Sequence, residues 1–274
     1  MERKLELGPD GTAHCCPGRE RSLTGVLDAY IAAACRTAVG SAPIPVAVGG
    51  TGTLSRVLKE ALHRTGCLLR EPAPGLLYLS VTDEGFTLRA RDETGRPISP
   101  ARLLTLLAAL ELERHGRAAV ADEAPALLDA LADRLGARLL RPARDGAAAR
   151  QLYVRSPFLR DAVFAAVRLA SHLAATGRSL SAALSNLPDF AHIRREIPLR
   201  RGRAEVMGRL TQGWAEAALD LSCGFRIQQD GKSARVSPLA EKRALRLEVE
   251  GSDMEAAQEF MEALDKQIRA LDEE

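Results

Sequence analysis

The stretch that most restricts the fold is "PIPVAVGGTGTLSRVLKEALHRTGCLLR", residues 43–70. Ile44–Val48 is a short apolar strand, and Gly49, Gly50 and Gly52 form a tight turn. Thr53 suits a helix cap, and Leu54, Val57, Leu58 and Leu62 fall on one face of the helix that follows. Gly66 stops that helix, and Cys67–Leu69 begins another strand. A strand, a helix and a strand in this order make a βαβ unit, whose parallel strands need the helix as a crossover. The chain is thereby committed to an α/β sheet. A helix amino terminus after glycines attracts anions. Gly-Gly-x-Gly, however, is not the dinucleotide fingerprint, and no Lys stands where a P-loop requires one. The turn is therefore read as structural.

Further α/β signals follow. Leu76–Val81 is a nearly continuous apolar run, the pattern of a strand buried on both faces of a parallel sheet. Phe86–Ala90 reads as a strand and Glu93-Thr94-Gly95 as a turn. Ser99 caps a leucine-rich helix over Pro100–Arg114, with Pro at its first position. Ala118–Ala121 and Ala137–Arg141 read as strands around a helix over Pro125–Leu135. Residues 142–157 read as a cationic loop, with Arg141, Arg144, Arg150 and Arg155 close together. Helices are predicted over Asp161–Thr176 and Leu180–Leu187, then an extended exit ending at Pro198. The last part changes character. A helix over Ala204–Leu219 precedes a hairpin signalled by Asp230-Gly231, a half-buried strand with Leu245, Leu247 and Val249 inward, and a closing amphipathic helix from Asp253 to Leu271.

Ahead of the sheet, Ser22 can cap a first helix running to about Val39. Residues 1–21, dense in Gly and Pro, read as a flexible arm. The domain plan is then a partial α/β unit over 22–98, an α/β/α unit over 99–198 and a small α+β unit over 199–274.

With 38 basic and 36 acidic residues, the charge balance favours neither nucleic acid nor an anionic membrane as partner. No run approaches the length of a membrane span, and the first residues lack the apolar centre of a signal peptide. Five scattered cysteines make no disulfide framework, so the expected location is the cytoplasm. His14-Cys15-Cys16 gathers ligand types but lacks a second pair at zinc spacing. The remaining histidines, His63, His115, His172 and His192, join no Ser/His/Asp set. His192 stands beside Arg194 and Arg195, where an anion could touch it.

Taken in order, "AYIAAACRTAV", "RARDETGRPISPARLLTLLA", "RDAVFAAVRLASHLAATGRSLSAALSNLP", "REIPL" and "DGKSARVSPLAEKRALRLEVEG" resemble landmarks of the α-D-phosphohexomutases, the phosphomannomutase and phosphoglucomutase superfamily. The resemblance covers roughly residues 22–272 and corresponds to the second, third and fourth domains of that four-domain fold. It implies two α/β/α phosphohexomutase-type sheet domains followed by a small α+β carboxy-terminal domain. It also implies carbohydrate metabolism.

The departures from the family pattern concern its chemistry. No phosphoserine loop of the Ser-His-Asn-Pro type occurs. The family's metal loop, Asp-Gly-Asp-Ala-Asp-Arg, falls on Thr82, Asp83, Glu84, Gly85, Phe86 and Thr87. Glu84 is then the one carboxylate at a ligand place, a vestigial position. The sugar-recognition loop expected between Arg141 and Asp161 has no counterpart in sequence. The phosphate loop falls on Ser237, Pro238, Leu239, Ala240, Glu241, Lys242 and Arg243, with Ser where the family has an anchoring Arg. Eroded modules of this kind are familiar as carboxy-terminal parts of bacterial sugar-1-phosphate nucleotidyltransferases. The resemblance thus implies a non-catalytic module without cofactor, either recognising a phosphosugar or acting as a regulatory scaffold for a partner such as such a nucleotidyltransferase. Arg144, Arg155, Lys242 and Arg243 are the candidate phosphosugar contacts. The alternative is an active, magnesium-dependent mutase, an intramolecular phosphotransferase with relocated site residues.

Overall fold

The computed structural model describes residues 24–40, 43–214, 224–229, 231–239 and 241–273, with the backbone alone at 143 and 144. The expected amino-terminal arm, the His14-Cys15-Cys16 cluster, the Ser22 cap, Asp230 and the end of the helix expected to reach Leu219 lie outside these residues.

The βαβ unit forms as the sequence predicts. Strands β1 (Pro45–Val48) and β2 (Leu68–Arg70) are parallel and joined by α2 (Thr53–Arg64). Gly52, rather than Thr53, occupies the cap position, and no side chain caps the helix. Strand β3 (Leu77–Val81) lies on the other side of β1, again parallel. Two antiparallel strands, β4 (Leu88–Arg91) and β5 (Pro97–Ile98), extend the sheet to the order β2-β1-β3-β4-β5. The tight turn between β4 and β5 is tied by buried Asp92, whose carboxylate accepts from Thr94 N, Thr94 Oγ1 and Arg96 N.

Alternation governs this sheet, contrary to the reading of Leu76–Val81 as buried on both faces. Val46, Val48, Leu77, Leu79, Leu88, Ala90 and Ile98 point into the core. Tyr78 and Ser80 on β3 lie on the opposite face and are half-buried. The cause is the link from β2 to β3. It is a short crossover, residues 71–76, with no helix in it, so no helical layer from this link covers the second face.

The covered face packs on α2, α3 (Pro100–His115) and α6 (Ala162–Thr176), and α1 (Val26–Cys35) packs on α2 and α6. Ser99 caps α3 by accepting from Arg102 N, with Pro100 at the first position. Helix α3 continues onto a two-stranded parallel sheet, β6 (Arg117–Ala119) with β7 (Arg138–Leu140), whose crossover is α4 (Leu127–Arg134). The main hydrophobic cluster runs from Ile31 to Leu187, and the two faces of the β6/β7 sheet carry two small clusters of their own, around Ala118 and around Ala119 with Leu140.

Residues 142–157, expected as a loop, are mostly helix: α5 (Pro142–Arg155) and a 3-10 turn at Pro157–Leu159. Pro142 sits at the first helical position, and Asp145 Oδ2 accepts from Arg141 N at 2.6 Å. Gly146, with φ 67° and ψ −141°, is non-helical and kinks the element. Helix α7 (Leu180–Leu184), shorter than expected, closes this part.

The last unit has its own core. Strand β8 (Ala191–Pro198), the segment expected to lead out of the middle unit, is the edge strand of the final sheet, β8-β11-β10-β9. It pairs with β11 (Ala244–Gly251), which pairs with β10 (Lys232–Pro238), which pairs with β9 (Phe225–Gln229), each pair antiparallel. Helices α8 (Arg203–Gly213) and α9 (Met254–Glu273) cover one face through Val206, Leu210, Phe260, Met261 and Leu264. Among the described residues, no helix is long and apolar enough to cross a membrane.

Candidate functional site

In an open α/β sheet a ligand lies beyond the carboxyl ends of the parallel strands. Here that edge carries the glycine turn after β1 and the 82–87 loop after β3. The two sit side by side: a side chain placed at Gly52 would approach Asp83, and one at Gly85 would meet Leu54. The 82–87 loop is closed on itself. Thr82 N donates to Thr87 O and Gly85 N to Thr82 O. Gly85 O accepts from Ala162 N, which ties the loop to the start of α6.

Asp161 caps α6 by accepting from Val163 N at 3.0 Å and Phe164 N at 3.2 Å. Tyr30 Oη donates to the same carboxylate at 2.8 and 2.9 Å, which locks α1 against α6. Burial, and then the hydrogen bond to Asp161, push the Tyr30 phenol well above its ordinary range, so Tyr30 is a fixed donor rather than a base.

Around Glu84 the donor set is thin. Asp83 and Glu84 are exposed, and Phe86 beside them is 77% exposed. Thr82 Oγ1 is buried without a partner. Magnesium takes six oxygens in octahedral geometry, usually one or two fixed carboxylates with waters and phosphate oxygens. Among the described residues no group of three His, Cys, Asp or Glu side chains could hold a metal ion. The oxygens gathered here are two exposed carboxylates and the Thr82 hydroxyl, with no third carboxylate or histidine beside them among the described residues.

The phosphate-loop candidate joins β10 to β11. Leu239 N donates to Ala244 O and Ala244 N to Lys242 O, so these N–H groups are used within the loop. Arg203 on α8 donates through Nη1 to Leu239 O and, at 3.3 Å, to Lys242 O. Lys242 pairs with Glu196 at 3.0 Å, and that ion pair holds the Glu196 carboxyl below its usual range. Lys242 and Arg243 line a groove of about 930 Å³ together with Gly202, Arg203 and Met207. Arg155 is exposed in the last turn of α5, which packs on β6, β7 and the 3-10 turn. The Arg144 side chain lies outside the described residues. The groove thus unites Lys242 with Arg243 and not with Arg155.

Arg141, expected with the cationic loop, turns inward and is only 2% exposed. Its guanidinium donates to the carbonyls of Ala121, Asp122, Ala124 and Pro125 and pairs with Asp129 at 2.8 Å. Neither this role nor that of Arg203 had a sequence signal, because their partners are backbone carbonyls distant in sequence. His192 pairs across strands with Glu250.

No family model matches the chain, and no curated protein does. Solved structures do. A phosphoglucomutase/phosphomannomutase family protein from Burkholderia thailandensis superposes with a TM-score of 0.69 at 16% identity, over 90% of this chain and 64% of that one. The fold is that of the phosphohexomutases. A putative phosphomannomutase from Thermus thermophilus gives a TM-score of 0.61 at 17% identity, over 91% and 68%. The Aspergillus fumigatus N-acetylphosphoglucosamine mutase, solved with GlcNAc-6P and magnesium, gives 0.55 at 11%, over 90% and 65%. The chain with this phosphohexomutase fold spans about two thirds of each of those chains.

Proposed function

We propose that this chain is a non-catalytic phosphohexomutase-type module of sugar-phosphate metabolism, serving recognition or scaffolding rather than phosphoryl transfer. The observation that carries the reading is the 239–243 loop. Phosphoryl transfer depends on positioning and on cations aimed at phosphate oxygens. In this loop the Leu239 and Ala244 N–H groups are satisfied internally, Arg203 serves backbone carbonyls, and Lys242 is paired with Glu196. The thin oxygen set around Glu84 supports the same conclusion.

Residual phosphosugar contact falls to Arg243 and Lys242 in their groove, with Arg144 and Arg155 as candidates on α5. Arg forks suit phosphate oxygens. The fitting protein partner is a sugar-1-phosphate nucleotidyltransferase, and no cofactor is required.

The test is a coupled mutase assay on the purified chain with glucose 1-phosphate and mannose 1-phosphate, with and without magnesium and the bisphosphate activator. The expected result is no rate above the uncatalysed background. A magnesium-dependent turnover would replace this reading with the active-mutase one. Thermal shifts with the same sugars separate the two forms of the proposal. A shift abolished by R243A supports recognition, and no shift by any of them supports scaffolding.

A further inference from the structure

Helix α2 starts where a ligand of an open α/β sheet lies, beyond the carboxyl end of β1. It is 12 residues long, with no acid in its first turn and no side-chain cap. Its first helical bond is donated by Arg56 N, to Gly52 O. The N–H groups of Thr53, Leu54 and Ser55 come before that bond and donate to no acceptor among the described residues. A second observation concerns a side chain. Ser55 is only 6% exposed, and its hydroxyl makes no hydrogen bond among the described residues. That hydroxyl is turned to the glycine loop, for a Cβ built on Gly50 would strike it. Gly50, at φ 89°, is what lets the loop come so close. A buried hydroxyl without a partner carries a cost that an incoming acceptor would remove. Arg56 Nη2 reaches back to Thr53 Oγ1 at 3.4 Å, which holds a guanidinium over the same turn.

We propose that the turn from Gly49 to Ser55 binds a phosphate group. The N–H groups of Thr53, Leu54 and Ser55 and the Ser55 hydroxyl hold its oxygens at the positive end of α2, and Arg56 adds charge. A phosphate brings three free oxygens and about −1.5 to −2 charges, more than a carboxylate offers to the same donors. The turn matches neither the dinucleotide nor the P-loop motif. Both motifs work through main-chain N–H groups at a helix start, however, and those are present here. Asp83 opposes the anion. Its Oδ1 would stand 3.9 Å from a Cβ on Gly52, so its charge weakens binding without blocking the donors. The site uses none of the residues proposed for phosphosugar contact, so the two readings stand or fall separately.

The experiment titrates the full, isotopically labelled chain with sodium phosphate at fixed ionic strength and follows the amides of residues 50–55 by NMR. The expected result is a saturable shift of those amides with a Kd of about 10 mM or tighter. S55A is expected to weaken binding about tenfold, the scale of a hydrogen bond to a charged group, and R56Q about threefold. D83N is expected to tighten it about threefold. Because the Ser55 hydroxyl has no partner in the free protein, S55A should not lower the melting temperature without phosphate, which separates lost binding from lost folding. R243A should bind phosphate as wild type does. Glucose 1-phosphate then identifies the source. Affinity no greater than that of inorganic phosphate marks a site for the free anion, and tighter binding marks a phosphomonoester site. A weaker or non-saturating response to both would overturn the proposal, as would wild-type affinity or a lowered melting temperature in S55A. Loss of binding in R243A would also overturn it, by moving the phosphate to the groove of the last unit.

Discussion

Arg141 is the residue on which the greatest local cost rests. A guanidinium 2% exposed must satisfy its donors inside the protein, and here four carbonyls and Asp129 do so. Truncation would take its donor from Ala124 O and one of two donors from Ala121 O, Asp122 O and Pro125 O, and a lysine could not reproduce the fork. R141A is expected to lower unfolding free energy by about 3–5 kcal/mol, the scale for breaking a buried charged network, and R141K by a smaller amount. Urea denaturation measures both. A loss below about 1 kcal/mol in R141A would mean that the loop holds itself. Glu93 gives a second prediction. Burial tends to raise its pKa, but hydrogen bonds from Ser179 and Ser181 outweigh that and lower it to about 2. A carboxylate with a depressed folded pKa stabilises the protein above its unfolded value, near 4.5, and that stability is lost as pH falls toward about 2. Wild type should therefore lose thermal stability between about pH 4.5 and 2 more steeply than E93Q does. Because Glu93 is partly exposed, the difference is discounted to a small one.

At the scale of elements, the start of α6 is where helix, loop and neighbouring helix are joined. Asp161 caps α6 and accepts from Tyr30, while Ala162 N holds Gly85 O. D161A is expected to cost about 1–2 kcal/mol as a lost cap, with Y30F costing less than about 1. Because the two share one hydrogen bond, their double-mutant cycle should show coupling above about 0.5 kcal/mol. Additive effects would show that the cap and the tie act separately. Much of this layer was legible from sequence. The glycine turn, the Ser99 cap with Pro100 and the alternating β11 all rest on local chemistry, and the structure places them where the residues imply. Two elements were not legible. Residues 142–157 read as a cationic loop, yet Asp145 accepts from Arg141 N and two helical stretches meet at a non-helical Gly146. Leu76–Val81 looked two-sided because Leu, Tyr and Val are all apolar enough for either face. Only the length of the preceding crossover decides which face is covered. At the candidate site, the loops could be located from sequence, but Arg203's hold on the 239–243 carbonyls could not. It is made across 36 residues by a side chain with no motif around it.

At the scale of the molecule, the two large hydrophobic clusters, within residues 31–187 and 191–268, are separate, and polar contacts run between them. Glu250 on β11 is central to that junction. Helix α4 has no cap of its own, and the Glu250 carboxylate accepts from Ala126 N at 2.8 Å and Leu127 N at 3.3 Å. It thereby caps α4 from another unit, with its negative charge at the positive end of the helix. Arg226 reaches Asp129 at 3.5 Å and Arg235 reaches Glu123 at 3.7 Å beside it. Both are long pairs between a largely buried arginine and a carboxylate 40% or 58% exposed. Glu250 is the group of the three that holds backbone N–H donors of the other unit, so its loss is the sharper test of the junction. E250A is expected to cost about 1–2 kcal/mol and to loosen the last unit from the rest. Loosening has a distinct signature, because two units with separate cores that no longer stabilise each other unfold separately. Calorimetry is expected to show one transition in wild type and a broadened or split one in E250A, whereas R226A with R235A should keep one sharp transition. A uniform shift in E250A, with its sharpness kept, would show that the two clusters cooperate by another route, through the chain between α7 and β8.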